Sequence, residues 1–301
     1  MSYDLNIPWP SNTYKPPTEA EVLNLVNTII TNYSLGITHQ VINFTVNELV
    51  KIPVSNQDAV NPIPTKQLLA KLKASCPNLS LFTRLTLVVS DLSKMQAMTK
   101  LQDCFDVIAI QPMNEKALQL TIMNIECDVI SLDMSNRLPF FLKFKTIGSG
   151  LQKGLKFEIS YSQIVSGPKG YQNDAVSYNL LKKNWFNNVL QLIRSSRSKG
   201  LVVSSGAQNP IQLRNANDIL ILLKTLGLDN SRAKACITSS PESVLVSGKL
   251  RHKSHKQVIS VGDENLIDIK SEDSEKKNNV GGYKRKFLET PTGRLLKKKK
   301  V

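Results

Sequence analysis

Histidine and paired cysteine are what this 301-residue chain most lacks. Its three histidines, His39, His252 and His255, are too few for the cluster of His and carboxylate ligands that a metal-dependent hydrolase gathers at its strand ends. Two of them lie in RHKSHK, where lysines repel a metal ion. His39 opens a strand and reads as a packed or capping residue. The four cysteines (Cys76, Cys104, Cys127, Cys236) form no CxxC pair, which argues against a zinc ribbon or a disulfide framework and for reduced thiols. No apolar run approaches the roughly 18 residues of a membrane helix. MSYDLNIPWP does not look like a signal segment. The expectation is a soluble, intracellular protein without a membrane partner. No GxGxxG follows the first strand-like run, so dinucleotide binding is disfavoured.

What the chain has is core-forming residues and positive charge. It is 41% hydrophobic, enough for a large core, and carries 39 Lys/Arg against 24 Asp/Glu, a formal +15. From Lys249 onward the counts are 15 and 7, a net +8; the preceding 248 residues hold 24 and 17, a net +7. Basicity on this scale favours a polyanionic partner, of which nucleic acid is the usual one.

Short β-rich runs alternate with longer helical ones. YDLNIP (3–8), HQVINFTV (39–46), LFTRLTLVV (81–89), DVIAIQPM (106–113), DVISLDM (128–134), LKFEISY (155–161) and LVVSSG (201–206) read as strands. Helices are expected from Thr18, whose TEAE opening is a capping-box pattern, over about 64–74, in MQAMTKLQDCF, in NEKALQLTIMNI, over about 177–199, in IQLRNANDILILLKTLGL, and from about 231 to 249. Strands this apolar, separated by helices, indicate parallel βαβ units. The fold class is therefore α/β: an irregular TIM-like (β/α) barrel of about seven strands, without a convincing eighth. It is assigned to residues 1–251, and 252–301 to a basic, largely disordered tail.

IRSSRSKGLVVSSGAQNP (193–210) raises the main functional question. In a barrel, RSSRSK ends a helix at the N-terminal rim and SSGA leaves a strand at the opposite rim. Five or six strand residues at about 3.3 Å each keep them nearly 20 Å apart, so they are two features. At the first, Arg194, Arg197 and Lys199, with Ser195, Ser196 and Ser198 as neutral donors, suit a nucleic-acid backbone. The same cations would complement a helix C-terminus, with Gly200 as its cap, and spacing leaves both readings open. At the second, Ser204, Ser205 and Gly206 precede Asn209-Pro210, an N-cap with proline at the first helical position. They suit either phosphate binding or the satisfaction of helix ends. A nucleophilic serine would need a base, and no histidine can be placed beside it.

An enzymatic rival, a barrel phosphoesterase, would have to rely on Asp4, Asp133 and Glu158. A general nuclear RNA-binding scaffold is the other rival. Beyond the barrel, LRHKSHK (250–256) reads as a flexible arm along RNA phosphates or as a solvated connector. Lys284-Arg285-Lys286 and Lys297-Lys298-Lys299-Lys300, ten residues apart, fit a bipartite nuclear-import signal.

YDLNIPWP, GITHQVINFTV, RLPFFLKFKT, KFEISY, IRSSRSKGLVVSSGAQNPIQLRNANDI and LGLDNSRAKACITSSPESVLVSGKLRHKSHK together resemble the thirty-kilodalton subunit family of ribonuclease P, shared in eukaryotes with ribonuclease MRP, in its fungal form. The resemblance spans about 1–256. It implies a PHP-like TIM barrel related to metal-dependent phosphoesterases. Asp4 and Asn6 stand where strand one of such an enzyme offers His-x-His. It implies a subunit of the nucleus and nucleolus that does not cut RNA itself, serving tRNA 5′-end maturation and pre-rRNA processing. Catalysis would belong to the RNA and its magnesium ions, with no cofactor on this chain. The implied partners are the catalytic RNAs of ribonuclease P and MRP, precursor tRNA in the assembled particle, a small RRM-like protein subunit and the other protein subunits. The positions that match the family, and so the RNA-binding candidates, are Arg194, Ser195, Arg197, Ser198, Lys199, Ser204, Ser205, Arg214, Arg251, His252, Lys253, His255 and Lys256.

Overall fold

Alternation of apolar residues onto two faces, repeated strand after strand, is what closes this chain into a barrel. The computed structural model describes residues 2–48, 50, 60–91, 101, 103–166 and 175–253. The chain divides into two units, Met1–Ile267 and Asp268–Val301, and every described residue belongs to the first.

The strands are β1 (Ser2–Pro8), β2 (Ile37–Asn47), β3 (Ser80–Val89), β4 (Val107–Pro112), β5 (Val129–Ser131), β6 (Lys156–Ser160) and β7 (Leu201–Ser204). They pair in sequence order and all in parallel. Among the described residues no ladder joins β7 to β1. The seam is instead sewn by the loop after β7: the Gly206 N–H donates to the Asn6 carbonyl at 2.8 Å, and the Ser205 N–H donates to the Asp4 carboxylate at 2.9 Å. The result is a nearly closed seven-stranded barrel.

Inside, Leu5, Val41, Phe82, Val107, Ala109, Val129 and Val202 form one core. The residues between them, such as Ile42, Phe44, Leu85, Leu87, Ile108 and Ile110, face outward into a larger one. Both faces are thus buried, as parallel sheets require. The outer layer consists of α1 (Glu19–Ser34), α2 (Thr65–Leu72), α3 (Glu115–Asn124), α4 (Phe144–Gln152), α5 (Ser162–Ser166), α6 (Ala175–Ser196), α7 (Ala216–Thr225) and α8 (Asn230–Ile237). At about 1.5–3 kcal/mol per fully buried large apolar side chain, this outer layer is the larger source of cohesion. Thr18 caps α1 with the reciprocal Glu21 contact of a capping box, as its TEAE pattern predicts.

The expected single helix over 231–249 is two. Asp229 caps α8, and the chain breaks at Thr238 before α9 (Ser239–Lys253). Pro241 explains the break: it has no N–H for the carbonyl of residue 237, and its ring would clash there, whereas the first turn of a new helix tolerates it. Val244 and Leu245 of α9 join the inner core, stopping the N-terminal mouth of the barrel. Gly248 lets the helix approach: a Cβ there would lie 1.9 Å from the Asp106 carbonyl oxygen. α9 runs two residues past the boundary expected at 251. The helix expected in MQAMTKLQDCF falls mostly outside the described residues, as does the tail from 254. No described helix is long and apolar enough to cross a membrane.

Candidate nucleic-acid interface

The serines and cations of RSSRSK part company at the end of α6. Ser195 and Ser196 are buried, and their hydroxyls donate to the carbonyls of Leu192 (3.1 Å) and Ile193 (3.2 Å). Both hydroxyls are spent on finishing the helix. Arg194, Arg197 and Lys199 remain exposed. The helix closes through the Ser198 N–H, which donates to the Ile193 carbonyl at 2.9 Å. The closure uses Arg197 and Ser198 in left-handed conformation, φ 53° and 56°, where glycine or asparagine is the usual choice. Gly200 is therefore not the cap expected of it. It sits one turn further on at φ +62°, where a Cβ would meet Leu151 at 2.2 Å. The left-handed turn lays the Arg197 guanidinium over the Phe144 ring, 4.2 Å from its centroid.

The serines at the end of β7 and just after it make internal contacts to β1 and β6. The buried Ser205 spends its hydroxyl on the Asn6 carbonyl at 3.2 Å. The Ser204 hydroxyl donates to Glu158 at 2.6 Å. Gly206 (φ +60°) passes so close to β6 that a Cβ would lie 2.1 Å from the Ser160 hydroxyl. Asn209 and Pro210 open a short 3-10 turn, with α7 starting later behind its own N-cap, Asn215.

Glu158 belongs to a buried polar network at the C-terminal end of the barrel interior. Arg84 donates to it twice, at 2.7 and 2.6 Å, and both side chains are essentially inaccessible, 0% and 1% exposed. Arg84 also donates to the Leu5 carbonyl and to Thr86, Thr86 donates to Asn43, and Asn43 to Asn6. Burial alone would raise the Glu158 carboxyl. The Arg84 guanidinium outweighs it, with hydrogen bonds from Arg84 and Ser204, and holds the group below its ordinary value. Asp4 goes the other way: burial raises its carboxyl despite hydrogen bonds from Ser205, Asn6 and Asn32. Asp133 accepts from Ser135 and Asn136. The three carboxylates of the phosphoesterase reading are thus tied into three separate sets of contacts. Among the described residues no group of three or more His, Cys, Asp and Glu is placed to hold a metal ion. His39 is packed between Tyr3 and Phe82, and none of the four cysteines forms a disulfide.

The remaining candidates divide as well. Arg214 is exposed, donating to the Ile211 and Leu213 carbonyls. Arg251 does not begin a free arm. It turns inward to Asp128 at 2.8 Å and to the Asp106 carbonyl at 3.0 Å, fastening α9 beneath the barrel. His252 and Lys253 are helical in backbone. His255, Lys256 and the import clusters Lys284–Lys286 and Lys297–Lys300 lie outside the described residues.

A face that sequence reasoning missed adjoins the exposed arginines. Phe141 is 75% and Phe144 48% exposed, while Phe140 is buried. Two grooves, of about 750 and 450 Å³, lie between this segment and α6, and they share Asn187 and Gln191. Their cations are Arg137, Lys183 and Arg194, and their linings contain no carboxylate. The signal was available in RLPFFLKFK, where aromatics interleave with cations.

Residues 1–253 match the family model described as RNase P subunit p30. The chain is 39% identical over 263 residues to the ribonuclease P/MRP protein subunit RPP1 of Saccharomyces cerevisiae, covering 87% of this chain and 85% of that protein. It is 28% identical to the probable ribonuclease P protein subunit 3 of Schizosaccharomyces pombe, covering 86% and 99%. Among solved structures, a chain from a cryo-EM structure of archaeal ribonuclease P with mature tRNA shares the fold. The TM-score is 0.56 at 14% identity, over 90% of this chain and 99% of that one.

Proposed function

The chain belongs to the RNase P subunit p30 family, and from that membership we propose that it is a non-catalytic protein subunit of ribonuclease P and ribonuclease MRP. Its service is to tRNA 5′-end maturation and pre-rRNA processing, in the nucleus and nucleolus. The observation that carries this reading is the family match over the whole described barrel, residues 1–253.

The geometry supports the same division of labour. The three carboxylates on which a phosphoesterase would rely, Glu158, Asp4 and Asp133, are occupied by Arg84, Ser205 and Asn136. The cations Arg194, Arg197 and Lys199 are exposed at and just beyond the end of α6. On this proposal the chemistry rests with the RNA and its magnesium ions, and this chain holds no cofactor. The chain contributes a stiff surface to the catalytic RNA, to precursor tRNA, to a small RRM-like subunit and to other proteins of the particle. Phosphates accept hydrogen bonds from such cations without regard to base identity, which fixes register and orientation on the RNA.

Recovering the tagged chain from cells and sequencing its bound RNA tests the proposal. Ribonuclease P and MRP RNAs are expected; their absence from a chain recovered folded refutes it.

A further inference from the structure

We propose that the flank of the barrel between the 137–144 segment and α6 is a platform for single-stranded RNA, on which unpaired bases stack against Phe141 and the Arg197–Phe144 pair. The proposal rests on the RNA-subunit reading and adds to it the kind of RNA and the place.

Three observations converge there. First, two aromatic rings stand exposed close together in the chain, Phe141 at 75% and, three residues on at the start of α4, Phe144 at 48%; neighbouring exposed apolar groups rimmed by polar residues mark interaction sites. Second, the charge is of one sign. Arg137, Lys183 and Arg194 line the two adjoining grooves, no carboxylate does, and the nearby Lys143 already neutralises Glu115 at 2.6 Å. A protein partner buried on aromatic rings would leave these cations to be neutralised separately, whereas a phosphate chain neutralises them as it binds. Third, Arg197 is held in a left-handed conformation that costs an ordinary residue about 1–2 kcal/mol. The outcome is a guanidinium held over the Phe144 ring, 4.2 Å from its centroid, and both arginine guanidinium groups and aromatic rings are surfaces on which bases stack.

The dimensions agree with a strand rather than a duplex. From Leu180 to Arg194 α6 rises about 21 Å, the length of about six stacked nucleotides. A duplex keeps its base faces inside the stack and presents none to Phe141. Asn187 and Gln191, common to both grooves, can reach base edges, while Arg137, Lys183 and Arg194 take phosphates.

The test compares the purified full chain binding a labelled 12-nucleotide unpaired RNA and the matching 12-base-pair duplex. Phe141→Ala and Phe144→Ala are each expected to weaken single-strand binding by about 5- to 150-fold, leaving duplex binding and its salt slope unchanged. Arg194→Ala should lower the single-strand salt slope by about 0.7. Phe141 is exposed, so its variant tests binding without a folding defect, and melting curves confirm this. Equal affinity of the wild type for strand and duplex, or unchanged single-strand binding by the phenylalanine variants, overturns the platform. Loss of a protein from particles recovered with the double variant, with single-strand affinity intact, overturns it in favour of a protein-docking face. Recovery of ribonuclease P RNA by the wild-type chain reads the parent proposal independently, so either can fail alone.

Discussion

Arg84 of β3 and Glu158 of β6 meet across the barrel interior as a doubly hydrogen-bonded ion pair, 2.6 and 2.7 Å between donor and acceptor. Ser204 donates to the same carboxylate, so three strands converge on one buried charge. A charge removed from water in this way is tolerable only when every lone pair and donor is met. Here the guanidinium fills the interior at the end where barrels ordinarily carry their reacting groups.

Breaking this pair from one side should be severe. Arg84→Met or Glu158→Leu is expected to cost about 3–5 kcal/mol, because each leaves its partner buried and unpaired. The double apolar variant Arg84→Met/Glu158→Leu should recover most of that loss. Urea denaturation of the three variants measures it, and additive losses in the double variant would contradict the account.

Acid should find the same pair. The folded Glu158 carboxyl is held below its ordinary 4.5, mainly against burial by Arg84. Its contribution is therefore full above about pH 4.5 and lost as pH falls through the lower folded value. Asp4, raised above its ordinary 3.8 by burial, contributes below that value and loses its contribution as pH rises through the folded one. Stability measured against pH should fall less steeply with acid in the double apolar variant than in the wild type. Asp4→Asn should flatten the opposite window instead.

Two arginines that look alike in sequence should give opposite phenotypes. Arg251→Ala removes the partner of a largely buried Asp128, and about 2–3 kcal/mol of stability should go with it. Arg194→Ala, on an exposed helix end, should leave the melting temperature unchanged and weaken RNA binding, most visibly at low salt. Thermal denaturation beside RNA titration separates them.

Backbone geometry supplies a further pair. Gly248→Ala drives a methyl against the Asp106 carbonyl and should cost about 1–3 kcal/mol as α9 is displaced. Ser198→Gly relieves a left-handed residue and should gain about 0.5 kcal/mol, after the extra freedom of glycine in the unfolded chain is subtracted.

Local rules carried much of the fold. The TEAE cap and the two-sided apolar strands are properties of neighbouring residues, and both appear as read; Asn209-Pro210, read as a helix start, opens only a 3-10 turn. What stayed hidden was decided at long range. Nothing near Arg251 indicates that Asp128, 123 residues away, will claim it. A serine reads the same whether its hydroxyl faces a phosphate or, like Ser195, the carbonyl three residues back. Gly200 drew attention as a helix stop, yet the turn fell at Arg197 and Ser198, because β7 has to start where Leu151 leaves room only for a glycine. Phe141 was passed over for a related reason: in a strand-rich sequence a phenylalanine is assumed to be core, and only packing shows that Phe140 took that place.

Six of the seven junctions around the barrel are hydrogen-bonded ladders, and the seventh hangs on Gly206, Ser205 and the side chain of Asp4. A ring yields at its weakest joint. Amide protons at 205 and 206 should exchange with solvent sooner than those of β2 and β3, through a partial unzipping that leaves the rest of the wall intact. The molecule is in this sense a clasped bracelet, and its catch is fastened by a carboxylate.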